Sequence, residues 1–229
     1  MNNPMAERIV LLLSGSGRYA DPWHPFSRTS ARLAELIREE GFVVAQPENI
    51  DQTLADHAAG PLPDLVVADL GRPQDGTPTP STALGQTGLK RLLRNRPLLA
   101  VHAAVSTFAD SPAWTTSVGA RWIPGASWHP DRGQFTAHVA HSGTSPIGPL
   151  APFALDDERY LDLQLPATGR TVLYRHQGEN SHSQPSIWIQ DIDGVRSAYD
   201  AYGHDESAYE SEEHRDIIRR IIHWLTTRR

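Results

Sequence analysis

A chain of 229 residues, 39% hydrophobic and 21% charged, is long enough to bury a substantial core, and its 18 prolines and 17 glycines point to many turns rather than to disorder. The formal charge of −6, from 21 basic and 27 acidic residues, leaves no electrostatic footprint for a phosphate backbone, so nucleic acid is not an expected partner. The absence of cysteine removes disulfides, zinc–thiolate sites, iron–sulfur clusters and every thiolate nucleophile, and leaves 11 histidines to carry acid–base chemistry or metal ligation near neutral pH.

The apolar run from Ile9 to Leu13 is far too short to span a membrane, and no basic, apolar, small-residue leader pattern precedes it. The expectation is a cytoplasmic chain with no membrane partner, folded as one domain over residues 1–229. Arg8 to Gly15 reads as a buried parallel strand whose carboxyl end opens into a loop over Ser16 to Pro25. The apolar stripe Ala31, Leu33, Ala34, Leu36 and Ile37 predicts a helix over Ser27 to Glu40, stopped by Gly41. Strands follow at Phe42 to Ala45 and Asp64 to Leu70, with a weakly patterned helix-length segment from Ile50 to Ala59 between them. After a Pro-, Thr- and Gly-rich loop from Gly71 to Pro80, the pattern predicts a helix over Ser81 to Leu93 and a fourth strand over Pro97 to Val101. Such alternation implies a parallel sheet covered on both faces.

Beyond Ala113 the pattern becomes short strand-like pieces, Gln134 to Ala140, Thr171 to Tyr174, Ile187 to Asp191 and Gly194 to Ala201, suited to hairpins. Glu212 to Thr226 closes the chain as a helix with Ile217, Ile218, Ile221, Ile222, Trp224 and Leu225 on its buried side. The acidic stretch from His204 to His214 is read as a helix start capped at Ser211, in preference to an ion site.

Leu98 to Ser106 (LLAVHAAVS) is the most informative segment. A hydrophobic strand there runs straight into His102 and two alanines, where an open α/β sheet places ligands. The bland alternative is a histidine bonded into a helix start. Ser14-Gly15-Ser16-Gly17 is neither a nucleophile elbow, a dinucleotide fingerprint nor a phosphate loop, and reads as a turn. His24, His102, His129 and His204, with Glu158, each stand beside a turn or strand end. Several imidazoles and a carboxylate can hold a divalent metal such as zinc, but no pair has local ligand spacing. Without metal the same groups suit general acid–base work, His102 first and Glu158 as partner or orienter. Trp23, Trp114, Trp122, Trp128, Trp188 and Tyr160 could stack on sugar faces or serve as ordinary core and surface aromatics.

The motif order resembles the ThuA-like family, whose fold is similar to class I glutamine amidotransferases. Ala100-Val101-His102-Ala103-Ala104 looks like its strand-end turn, and Trp122 to Pro130 (WIPGASWHP) like its glycine-containing segment ending in His-Pro, which carries His129. Pro146-Ile147, Phe153 and Asp157-Glu158-Arg159-Tyr160 follow in the family's order, then Ile187-Trp188, Gly203-His204 and Trp224. The chain departs from the pattern at Ser145, where the family usually has histidine, and in VRSAYDAY, which lacks the usual Gly-Arg-Val; His141 stands four residues before Ser145.

The resemblance implies a three-layer, mostly parallel α/β sheet flanked by helices, of the amidotransferase-like or flavodoxin-like kind, with short antiparallel strands in the C-terminal half. It implies carbohydrate metabolism, around trehalose or a related sugar or keto-sugar. With no cysteine, glutamine amidotransferase activity is excluded. The expected site has His102, Glu158 and His129 as catalytic groups, His24, His204, Tyr160 and Trp128 against a small-molecule carbohydrate, and His102, His129 and His204 as metal ligands. Two alternatives stay open, a non-catalytic carbohydrate-binding or regulatory protein and a metal-dependent hydrolase acting on something else. A homo-oligomeric state is also left open.

Overall fold

The first apolar run, Ile9–Ser14, is strand β1, buried at every residue after Ile9, and it forms the centre from which the parallel part of the sheet grows. The computed structural model describes residues 7–141, 143–167, 169–178 and 182–227. The expectation about a leader pattern concerns the residues before Ile9, of which 1–6 lie outside the described residues.

After β1 come α1 (Phe26–Glu39), β2 (Val43–Ala45), α2 (Ile50–Asp56), β3 (Leu65–Asp69), α3 (Ala83–Asn95), β4 (Leu98–Val101) and α4 (Pro112–Val118). The second half carries β5 (Gly133–Val139), β6 (Phe153–Asp157), β7 (Thr171–Gln177), β8 (Ser183–Ile192), β9 (Val195–Asp200) and α5 (Glu212–Thr226). Among the described residues these strands form one nine-stranded sheet in the order β2-β1-β3-β4-β9-β8-β7-β5-β6. The five strands from β2 to β9 run parallel, and each later pairing, β9 with β8, β8 with β7, β7 with β5 and β5 with β6, is antiparallel.

Strand side chains alternate between faces, so each strand feeds two cores. On one face Val10, Leu12, Val67, Leu99 and Val101 meet Leu33 and Ile37 of α1 and Ile217, Ile218, Ile221 and Ile222 of α5. On the other, Leu11, Leu13, Val66, Ala68 and Leu98 meet Leu54 of α2, Leu89 and Leu92 of α3 and Trp114 of α4. The result is the three-layer α/β architecture, parallel first and antiparallel in the C-terminal half. Trp224, expected inside this core, is only half-buried at its edge, beneath the Arg196 guanidinium.

Two elements were not read from sequence. Helix α4 is capped by the Ser111 side chain, which accepts from the Trp114 amide, and has proline at its first turn. Strand β6 alternates buried and exposed residues against β5 at the edge of the sheet. It matters because it delivers Asp157 and Glu158. Helix α5 begins as expected, with the Ser211 side chain accepting from the His214 amide.

Candidate functional site

His102 is the first residue after β4 and opens a short 3-10 helix over His102–Ser106. Its φ of +44° is a left-handed conformation that costs a non-glycine residue roughly 1–2 kcal/mol, a strain that turns the ring inward at the strand end. Its Nδ1 lies 2.8 Å from the Ala201 carbonyl, and a carbonyl only accepts, so Nδ1 carries the proton. Nε2 is left facing the site, 2.9 Å from the Tyr160 hydroxyl and 3.4 Å from Glu158 Oε2. The Tyr160 ring stacks on His102 with centroids 4.3 Å apart.

Three further segments converge on that nitrogen. The loop after β1 brings His24, whose Nδ1 donates to both oxygens of Asp21 at 2.8 and 2.9 Å. This carboxylate pairing fixes the tautomer and turns Nε2 inward, where it is buried and has no hydrogen-bond partner among the described residues. Glu158 follows β6, and His204 follows β9 across Gly203, whose φ of +115° is glycine territory. His204 Nδ1 is 3.3 Å from Glu158 Oε2 but is not aligned to bond it, and is likewise a buried orphan.

One ligand atom from each of His24, His102, Glu158 and His204 lies within 4.8 Å of the other three. A tetrahedral zinc with bonds of about 2.0–2.1 Å has ligand–ligand edges of about 3.3–3.4 Å. The two approaches to Glu158 Oε2, 3.4 Å from His102 and 3.3 Å from His204, match that edge. The donor set and the two orphaned nitrogens therefore fit a divalent ion of the zinc type, with those two separations already at that edge and all the ligand atoms within 4.8 Å of one another.

Burial disfavours charge on His24, and the nearby His102 and His204 add to this, so its pKa falls despite Asp21. Burial acts the same way on His102, but the Glu158 contact and the field of Asp157 outweigh it and the pKa is raised. Burial would raise Glu158, yet the two neighbouring imidazoles hold it well below the usual carboxylate range.

Three of the four, His24, Glu158 and His204, line a cavity of about 630 Å³, within the roughly 300–1,000 Å³ of small-molecule sites, while the buried His102 packs against them without lining it. Trp23, 66% exposed, and the half-buried Trp122 form aromatic walls. His129 stands at the rim, 39% exposed, with Nδ1 3.5 Å from Glu158 Oε1. It lies outside the four-residue cluster, where His24 and Glu158 stand instead beside His102 and His204. His141 lies elsewhere, in a small groove beside Val139 and Leu150.

Trp128 does not line this cavity. Its backbone pairs with Leu161, and its indole donates to Asp162 at 3.0 Å, so Trp122 takes the wall position. Trp114 and Trp188 are core residues, donating to the carbonyls of Ala104 and Val118. Sequence reasoning missed two carboxylates behind the ligands. Asp21 was legible as an acid three residues before His24. Asp157, which accepts from the amides of Gly203 and His204, stood in the Asp157-Glu158-Arg159-Tyr160 succession, but nothing in that run pointed to this role.

A family model described as ThuA, trehalose utilisation, matches residues 10–225. No curated protein matches the sequence. Among solved structures, the fold resembles a thua-like protein of Parabacteroides merdae (TM-score 0.75, 17% identity, covering 96% of this chain and 90% of that one). It also resembles one of Bacteroides uniformis (0.70, 13%, 98% and 94%). A cytoplasmic protein of Salmonella typhimurium shares the fold too (0.60, 10%, 96% and 100%). Among the described residues no helix is long and apolar enough to cross a membrane.

Proposed function

Since the chain belongs to the ThuA family, described as trehalose utilisation, we propose that it converts a sugar or keto-sugar at a divalent metal centre held by His24, His102, Glu158 and His204. The observation that carries this reading is the convergence of those four side chains, from four separate segments, with three of them lining an aromatic-walled cavity and His102 buried against them. When bound, the ion would supply Lewis-acid polarisation of a carbonyl or hydroxyl oxygen.

The protein's own groups do the rest. Asp21 holds His24, the Ala201 carbonyl holds His102, and Asp157 holds the turn before His204, so the donors are ordered before any ligand arrives. Trp122 and Trp23 offer faces for the apolar side of a sugar ring and exclude water from it. His129, at the rim beside Glu158, is placed to take a proton from substrate or return it.

The test is to incubate zinc-loaded protein with trehalose and its keto derivatives and follow the sugar by proton NMR. Turnover by the parent, lost on chelation, restored by zinc and reduced by about 100-fold or more in H129A supports the reading, since general acid–base groups contribute about 10²–10⁴-fold. Turnover that survives chelation would favour histidine acid–base chemistry without metal. Sugar binding without turnover would favour the non-catalytic alternative.

A further inference from the structure

Most arginines with salt bridges in this protein are spent on structure. Arg18 bonds Asp51 and Asp75, Arg132 bonds Asp156 and Asp205, and Arg219 bonds Glu39 and Glu212. Even the groove of about 470 Å³ on the α5 face is lined by paired guanidiniums, with Arg220 on Asp216 and on the Pro149 carbonyl. Arg72 is different. Among the described residues its side chain makes no hydrogen bond or ion pair, and it is the one arginine or lysine lining the histidine cavity.

Its backbone is nevertheless held firmly. The amide of the preceding Gly71 donates to the Tyr19 carbonyl at 2.8 Å, and the Gly71 carbonyl accepts from the buried Thr107 hydroxyl. On the other side Pro73 is buried. Arg72 thus projects, exposed and unpaired, from a pinned segment into the mouth of a cavity that His24, Glu158 and His204 also line. A guanidinium presents a planar fork of donors that matches the oxygens of a carboxylate or phosphate, and it keeps its charge at every physiological pH.

We propose that Arg72 is the specificity residue for an oxyanion on the substrate, so that the preferred sugar is acidic, carrying a carboxylate or a phosphate. The proposal rests on the reading of the cavity as a carbohydrate site and adds the charge class of its ligand. The anionic group lies at the cavity mouth on Arg72 while the ring stacks along Trp122 and Trp23.

Tryptophan fluorescence, which reports on Trp23 and Trp122, is titrated with glucose, glucuronate and glucose 6-phosphate. Parent, R72Q and R72K are compared with and without chelator, with circular dichroism to check folding. In the parent one anionic sugar binds about tenfold tighter than glucose, the lower end of what a hydrogen bond to a charged group supplies. Whether glucuronate or glucose 6-phosphate leads identifies carboxylate or phosphate. The preference persists after chelation, collapses in R72Q and is partly kept in R72K. Glucose bound as tightly as both anions in the parent overturns the role of Arg72 and leaves the carbohydrate reading standing. An anion preference undiminished in R72Q puts recognition elsewhere, on the metal if chelation abolishes it, and also overturns the proposal. No binding of any of the three contradicts both readings together.

Discussion

Asp157 accepts a 2.6 Å hydrogen bond from the amide of Gly203, and through it the end of β6 is tied to the turn after β9. The same carboxylate takes the amides of Glu158 at 2.7 Å and His204 at 3.2 Å, so one buried side chain sets the backbone of two cluster residues. Removing it leaves up to three amides to find new partners, at about 1–3 kcal/mol for each that stays buried and unpaired. D157A therefore loses stability and binds zinc about 10–100-fold more weakly in competition with a chromophoric chelator, the loss typical of removing a group that orients ligands. D157N keeps one acceptor oxygen and recovers part of the affinity. Parent-like zinc affinity in folded D157A would remove Asp157 from the account of the site.

Of the four cluster side chains Asp21 hydrogen-bonds only that of His24, through Nδ1. D21A is expected to lower zinc affinity by a similar factor of about 10–100. Its amide contacts are to Trp23 and His24 of its own loop, so urea unfolding should show a smaller stability loss than in D157A.

Helix α3 lies directly against α2 because Gly88 has no side chain. A Cβ there would stand 2.8 Å from the Leu54 carbonyl carbon and 3.0 Å from the Ala58 nitrogen, both backbone atoms that cannot swing aside. G88A gains helix propensity of up to about 1 kcal/mol and loses more to the forced separation of the helices, in the range of about 1–3 kcal/mol for overpacking. Urea denaturation should show a net loss of stability, and a gain would contradict this packing.

His214 is fully buried, donating from one ring nitrogen to the Ala208 carbonyl at 2.9 Å and facing Asp200 Oδ2 at 2.7 Å with the other. Burial opposes its charge, but Asp200, the Ala208 carbonyl and the field of Asp157 outweigh it, so its pKa is raised above the imidazole value of about 6.5. The native state then keeps a proton that the unfolded chain has already released. Its stabilisation is complete below about pH 6.5 and is lost as pH rises through the native pKa. Unfolding free energies measured from pH 6 to 9 should fall more steeply in the parent than in H214Q. Parallel curves would contradict this.

The parallel half of the fold was legible because β1, β3 and β4 are buried on both faces, which demands the continuous apolar runs seen in the sequence. Helix α5 was legible because one side packs on the sheet and the other meets water. Helix α4 was missed because Thr115, Thr116 and Ser117 are indifferent helix formers, although its Ser111-Pro112 start was visible. Strand β6 was missed because FALDD places two acids in a five-residue run at a sheet edge. His102 announced itself by standing where an apolar strand stops. The joining of His24, Glu158 and His204 to it depends on the closure of β1, β4, β6 and β9 into one sheet, which no local spacing encodes. Trp128 and Trp122 share one loop, and only the pairing of residue 128 with Leu161 decides which indole faces the cavity.

The most direct measurement is elemental analysis of tag-free protein dialysed against excess zinc and then metal-free buffer, beside H24A, H204A and the remote control H57A. About one zinc per chain in the parent and H57A, with a large loss in folded H24A and H204A, is the result expected of a centre built from residues 24, 102, 158 and 204. A parent that retains no zinc, or equal zinc in all four proteins, would contradict it.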